Sequence, residues 1–331
     1  MPATAVIGAN RRGKTAVFVV VCGCIAVAPY FLGSLIRIAP ALIFAFLLGG
    51  YGFRAVALRN RDKRFSKLVS QNPNLIETES LPNVDILVAA RDEEAVIQRL
   101  IKSLGDLNYP PEKLSICIVD DGSQDNTQSL LQEIKNLIKN IHIIQRSTNA
   151  GGGKSGALND GLKVVSSDWL FILDADAQLQ QDSLLRAVSY AVQQDWSALQ
   201  LRKAVVNPNK NLLMQCQSME MAMDAVLQQG RLAGGGVAEL RGNGQLIKRS
   251  ALDQCGGFNE GTVTDDLDLS FRLLIDGACI GILWDPPIEE EAVETFSALM
   301  RQRKRWAEGG LQRFFDYWNL LFSKRLNNTQ I

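Results

Sequence analysis

The sequence predicts an α/β fold, a mostly parallel sheet flanked by helices, preceded by transmembrane helices. Three observations predict it. From residue 84 onward, continuous apolar strand-like runs alternate with helical stretches. Acidic clusters stand directly after those runs, where parallel sheets bind their ligands. The first 60 residues hold two apolar stretches, each about as long as a bilayer-crossing helix.

The apolar stretches come first. Residues 16–36 are broken only by Pro29 and small residues, and residues 38–58 follow directly after Arg37. A signal peptide would explain the first stretch alone; the second stretch and the lack of a small-residue cleavage site argue against it. A helical hairpin fits better. One span with a re-entrant or interfacial helix is the alternative, because Gly49, Gly50, Gly52 and Arg54 weaken the second run. Within residues 1–70, 10 basic residues face one acid, Asp62, although the whole chain balances 35 against 35. The overall balance gives no reason to expect nucleic acid as a partner. The local excess lies on the outer flanks, at Arg11-Arg12-Gly13-Lys14 and in residues 59–64, with only Arg37 between the runs. The positive-inside rule then predicts a multi-pass membrane protein with both ends of the hairpin, and the domain after it, on the cytoplasmic side.

Residues 71–83, polar and proline-containing, read as a linker to a catalytic domain over 84–300. Strands are expected at 84–90, 114–119, 141–145 and 169–173, and helices at 94–104, 125–139, 157–165 and 270–275. Residues 301–331, basic and aromatic, read as an amphipathic interfacial segment. Cysteine and histidine chemistry is disfavoured. The six cysteines are scattered without a disulfide or zinc spacing. The single histidine, His142, sits inside a strand-like run, where a structural role is expected.

The chemistry gathers at the strand ends. The run ending at Val119 enters Asp120-Asp121-Gly122-Ser123, and the run ending at Leu173 enters Asp174-Ala175-Asp176. Each alone could be a turn or a cap. Two carboxylate pairs at one sheet edge repel each other, and a cation would offset that repulsion. Oxygen ligands at this spacing suit Mg²⁺ or Mn²⁺. Between them lies Gly151-Gly152-Gly153-Lys154-Ser155. It is not a P-loop, since Thr148 stands where that motif requires glycine. A glycine-rich turn opening a helix and carrying Lys154 can still approach a diphosphate. A third cluster, Asp265-Asp266-Leu267-Asp268, supplies a candidate general base. Gln302, Arg305 and Trp306 stand on the last segment at helical spacing.

Taken in order, Asp-Asp-Gly-Ser at Asp120, Asp-Ala-Asp at Asp174, Thr-Asp-Asp at Thr264 and Gln-x-x-Arg-Trp at Gln302 resemble the motifs of family-2 inverting glycosyltransferases with the GT-A fold. The resemblance implies that Asp120 and Asp121 hold the uridine of a UDP-sugar, with Lys154 near it or its diphosphate. It implies that Asp174 binds the sugar-diphosphate and, with Asp176, the metal. Asp266 would be the catalytic base, and Gln302, Arg305 and Trp306 would line the acceptor site and steady the leaving diphosphate. Asp265 departs from the pattern, which commonly has glutamate there. The stretches at 200–204, 239–245 and 305–310 further resemble the cyanobacterial branch that transfers glucose from UDP-glucose to diacylglycerol. Processive polysaccharide synthases of the cellulose and hyaluronan type are the alternative. Such relatives usually continue into more transmembrane helices after Gln-x-x-Arg-Trp, so a truncated form or an absent C-terminal membrane region is expected.

Overall fold

The structure, a computed structural model, describes residues 11–31, 34–61, 76–134 and 140–321. Helix α1 (Arg11–Val27) ends in a short 3-10 turn at Ala28–Phe31, where Pro29 lacks the amide that would continue the helix. Helix α2 (Ser34–Arg61) follows. By length and composition the stretches Arg11–Phe31 and Ile38–Arg61 are long and apolar enough to cross a membrane.

The remaining elements are β1 (Val84–Ala90), α3 (Ile97–Gly105), β2 (Leu114–Asp120), α4 (Thr127–Ile134), β3 (Ile141–Gln145), α5 (Gly153–Leu162), β4 (Trp169–Asp174) and α6 (Ser183–Gln193). After these come β5 (Ala198–Val205), α7 (Leu212–Ala233), β6 (Gln245–Lys248), α8 (Arg249–Gln254), α9 (Asp265–Ile275), β7 (Ile280–Glu290) and α10 (Phe296–Leu321). The strands form one sheet in the order β3-β2-β1-β4-β6-β5-β7. All pairings are parallel except those of β6, which runs antiparallel to β4 and β5.

Strand alternation divides the core into two layers. Ile86, Val88, Ile118, Phe171 and Leu173 point to one face, against Leu100 of α3, Leu131 of α4 and Leu184 of α6. Leu87, Cys117, Val119, Leu170 and Ile172 point to the other, against Leu158 of α5, Leu252 of α8 and Leu273 of α9. Both faces are covered, which is why the strand sequences are continuously apolar.

Several boundaries differ from expectation. Helix α3 starts three residues late, because Glu94 instead accepts hydrogen bonds from the backbone and side-chain nitrogens of Asn126 at 2.9 and 2.8 Å. Helix α5 starts four residues early, at Gly153, directly from the glycine-rich turn. Residues 135–139 of the expected helix 125–139, residues 71–75 of the linker and residues 322–331 of the last segment lie outside the described residues. The expected boundary at 300/301 falls inside α10, a single 26-residue helix.

The two apolar helices dock on the domain at different places. Arg11 of α1 pairs with Asp316 of α10, Lys14 donates to the Phe315 carbonyl at 2.6 Å, and Phe18 meets Phe315 edge-on at 5.7 Å. Arg59 of α2 donates to Gln229 of α7 at 2.8 Å, and the Ala55 backbone lies so close to Gly230 that a β-carbon there would strike it. Gly230→Val is therefore expected to lift α2 off α7. The check is a lowered thermal midpoint together with faster proteolysis between α2 and β1.

Candidate active site

The sheet places acids along its carboxyl edge. Register pairs Ala90 with Asp120 across β1 and β2, and Ala89 with Asp174 across β1 and β4. Asp120 and Asp174 thus stand two strand spacings apart, roughly 10 Å. The turn after Asp120 needs Gly122 in a left-handed conformation (φ +73°), since any side chain there would meet the Thr148 backbone. The buried Asp120 carboxylate accepts the Ser123 amide at 3.0 Å through Oδ1, while Oδ2 has no partner. Asp121 turns away to the buried Arg146, which also binds Asp160 at 2.8 Å and the Gly151 carbonyl at 2.7 Å. That arginine clamps the glycine-rich turn to the end of β2.

A cleft of about 610 Å³ opens beside this edge, lined by Lys154, Asp174, Asp176, Asp265, Asp266, Gln302, Arg305 and Trp306 among others. Six sequence-predicted site residues besides Asp174 and Asp266 therefore meet there, counting Asp265, the neighbour of the base. Asp120 and Asp121 lie outside its lining. Lys154, from the first turn of α5, reaches Asp174 at 2.5 Å and Asp265 at 3.8 Å. Burial works to lower its pKa, but Asp174 and Asp265 outweigh it and hold the ammonium firmly charged. Burial likewise works to raise the pKa of Asp174, and Lys154 reverses it. The Asp174 amide is fixed by Asn243 at 3.1 Å.

Asp266 sits in the first turn of α9 beside Asp265. Burial, then the charge of Asp265, push its carboxyl up to about 6. A β-carbon at Gly242 would lie 3.6 Å from Asp266 Oδ2 and 4.0 Å from Asp174 Oδ2, so both carboxylates face the same glycine. Gln200 of β5 pins that loop, accepting the Arg241 amide at 2.6 Å and donating to the Asn243 carbonyl at 2.7 Å. The third acid of the cluster, Asp268, is structural: it is buried against Arg272, Asn259 and Tyr317. From the other wall, α10 lies against Thr264 where Gly309 leaves no side chain in the way. Its Arg303 pairs with Glu220 and stacks on Trp306 at 4.2 Å, and the buried Gln302 Oε1 has no partner.

Asp176 accepts the Glu291 amide at 3.2 Å. Burial, then Asp174 and Glu290, push its carboxyl up to about 6. Glu93, just past β1, is pushed up to about 7 by burial and then by Asp176 and Asp174. Among the described residues no three acidic, cysteine or histidine side chains converge as a self-sufficient metal cage. The Asp174 and Asp176 pair nonetheless fits a divalent cation, as hard oxygen donors of which Asp176 is crowded by the charges of Asp174 and Glu290. Sequence reasoning passed over Glu93 and Arg146. The signal for Glu93 was its place directly after a parallel strand, the same signal that singled out Asp120 and Asp174.

Residues 82–309 match the family described as Glycosyltransferase like family 2. Beta-monoglucosyldiacylglycerol synthase of Nostoc sp. is 47% identical over 251 residues, covering 76% of this chain and 54% of the relative. Poly-beta-1,6-N-acetyl-D-glucosamine synthase of Staphylococcus aureus is 30% identical over 273 residues, covering 80% of this chain and 63% of the relative. This chain spans about half the length of the monoglucosyldiacylglycerol synthases it matches. Among solved structures, the mannosyltransferase PcManGT of Pyrobaculum calidifontis, in complex with GDP-Man and Mn2+, superposes with a TM-score of 0.65 at 21% identity. That match covers 86% of this chain and 74% of that one.

Proposed function

Because this chain belongs to the family-2 glycosyltransferases, we propose that it transfers glucose with inversion from UDP-glucose to the free hydroxyl of 1,2-diacylglycerol. The observation that carries the reading is Asp266: a carboxyl with raised proton affinity, facing the same glycine as Asp174 in one cleft. A base so placed takes the proton of the acceptor hydroxyl as its oxygen bonds to the glucose C1 and the C1–O bond to UDP breaks. Asp120 suits the uridine end, since its partnerless buried oxygen asks for an N–H donor. The spacing of about two strands to Asp174 suits the reach from base to diphosphate. Asp121 acts there through Arg146, holding the glycine-rich turn that presents Lys154. Asp174 and Asp176 would hold Mg²⁺ or Mn²⁺, which neutralises diphosphate charge when bound. Gln302, Arg305 and Trp306 form the acceptor wall and meet the departing diphosphate.

The acceptor reading follows from the greater likeness to the monoglucosyldiacylglycerol synthases than to the polysaccharide synthase. Two apolar helices joined to the catalytic domain support a membrane-bound enzyme, and their basic flanks support a cytoplasmic domain. Membranes containing the protein, given labelled UDP-glucose, Mg²⁺ and diacylglycerol, are expected to yield one chloroform-soluble product. Labelled polymer left behind by solvent extraction would point instead to a polysaccharide synthase.

A further inference from the structure

Helix α7 carries an apolar stripe on its outward side. On a helix that faces water the apolar stripe turns inward and the polar side outward. Here Gln217 and Gln228 share the inward side with Met214 and Ala225, while Leu212, Met219 and Met223 stand 75%, 72% and 60% exposed. With exposed Cys216, these three follow one another at spacings of four, three and four residues and form a single outward stripe. Only three of the 22 residues of α7 are charged. Two of them, Glu220 and Asp224, are engaged by Arg303 and Arg241. A stripe this continuous is more than the scattered apolar exposure of an ordinary surface.

We propose that the outward face of α7 lies in the lipid surface, as a membrane contact additional to α1 and α2. The inference rests on reading α1 and α2 as membrane helices, not on the identity of donor or acceptor. Continuity argues for lipid as the occupant. The candidate span Ile38–Arg61 is packed on α7 through Ala55 and Gly230. The other candidate span is joined to α10, which carries exposed Phe296, Met300, Phe314 and Trp318 beside exposed Arg301 and Lys304. Apolar side chains edged by cations suit the boundary between acyl chains and anionic headgroups. The opposite side of α7, through Glu220, Met221, Asp224 and Gln228, lines the cleft. One helix thickness would then separate bilayer from active site, about 10 Å.

The test uses the full chain in vesicles of phosphatidylcholine and phosphatidylglycerol. Cys22→Ser, Cys24→Ser and Cys279→Ser leave Cys216 as the exposed thiol, since Cys117 and Cys255 are buried. An environment-sensitive fluorophore on Cys216 is expected to be quenched by lipids spin-labelled near the headgroup and protected from iodide. A companion chain keeps Cys279 and carries Cys216→Ser. Its probe, at the amino-terminal edge of β7 away from the cleft, is expected to show the reverse. Iodide quenching without lipid quenching at Cys216 overturns the proposal. Shielding from both quenchers overturns it as well, because protein would then cover the stripe. No donor or acceptor is present in the measurement, so its result stands apart from the transfer assay.

Discussion

Asp266→Asn is expected to lower kcat by about 10²–10⁴-fold, the range that a positioned general base contributes. Asparagine matches the side chain in size but cannot take up the acceptor proton. Donor affinity, read by UDP titration, should change little, because Lys154, Asp174 and Asp120 are untouched. A fall in donor affinity as large as the fall in kcat would make Asp266 a binding residue and remove it from the chemistry. The pH profile supplies a second check. With its carboxyl pushed up to about 6, Asp266 is ionised above that pH and protonated below it, so kcat/KM should drop on the acid side of about 6. Asp176 and Glu93 titrate in the same neighbourhood, so the acid limb belongs to the cluster. An acid limb near the ordinary carboxylate value, about 4, would mean that burial and Asp265 do not set the proton affinity of the base.

The site was legible where chemistry follows a strand. Asp120 and Asp174 end β2 and β4, and a continuous apolar run followed by acids announces a buried parallel strand with its binding edge. Lys154 was legible for a different reason, as the lone cation in a glycine-rich turn. What escaped was decided by contacts distant in sequence. Nothing local distinguishes Asp121, bound to Arg146 twenty-five residues on, from Asp120 with its free oxygen. Strand β6 has only four residues, too few for period-2 alternation to register, so the antiparallel strand in the sheet was not foreseen. Helix α10 starts before the expected segment, because Phe296 and Met300 continue its exposed apolar side without a break. Helix α7 defeats pattern reading altogether. Gln217 and Gln228 face inward while Leu212, Met219 and Met223 face outward, so an argument that buries every apolar position would set the helix on its wrong side.

Arg272→Met is expected to cost about 3–5 kcal/mol of stability, the range for breaking a buried ion pair by removing one partner. Arg272 is fully buried in α9, where its Nε donates to Asp268 at 2.7 Å and its Nη1 to the carbonyls of Cys255 and Gly257, each at 2.7 Å. Asp268 also accepts from Asn259 at 3.0 Å and from the Tyr317 hydroxyl of α10 at 2.7 Å. One ion pair therefore ties α9 to the preceding loop and to the acceptor-side helix. Methionine fills much of the volume but leaves a buried carboxylate and two carbonyls without their donor. The thermal midpoint of the solubilised protein should fall by on the order of 10 °C. Adding Asp268→Asn should recover part of that loss, since the double variant no longer buries an unpaired charge. Tyr317→Phe, which removes one neutral donor, should cost only about 1 kcal/mol. If Arg272→Met proved as mild as Tyr317→Phe, the position of Asp266 would have to be fixed by something other than this pair. Other supports for the first turn of α9 include Gly309 of α10 packed on Thr264 and Lys154 at 3.8 Å from Asp265.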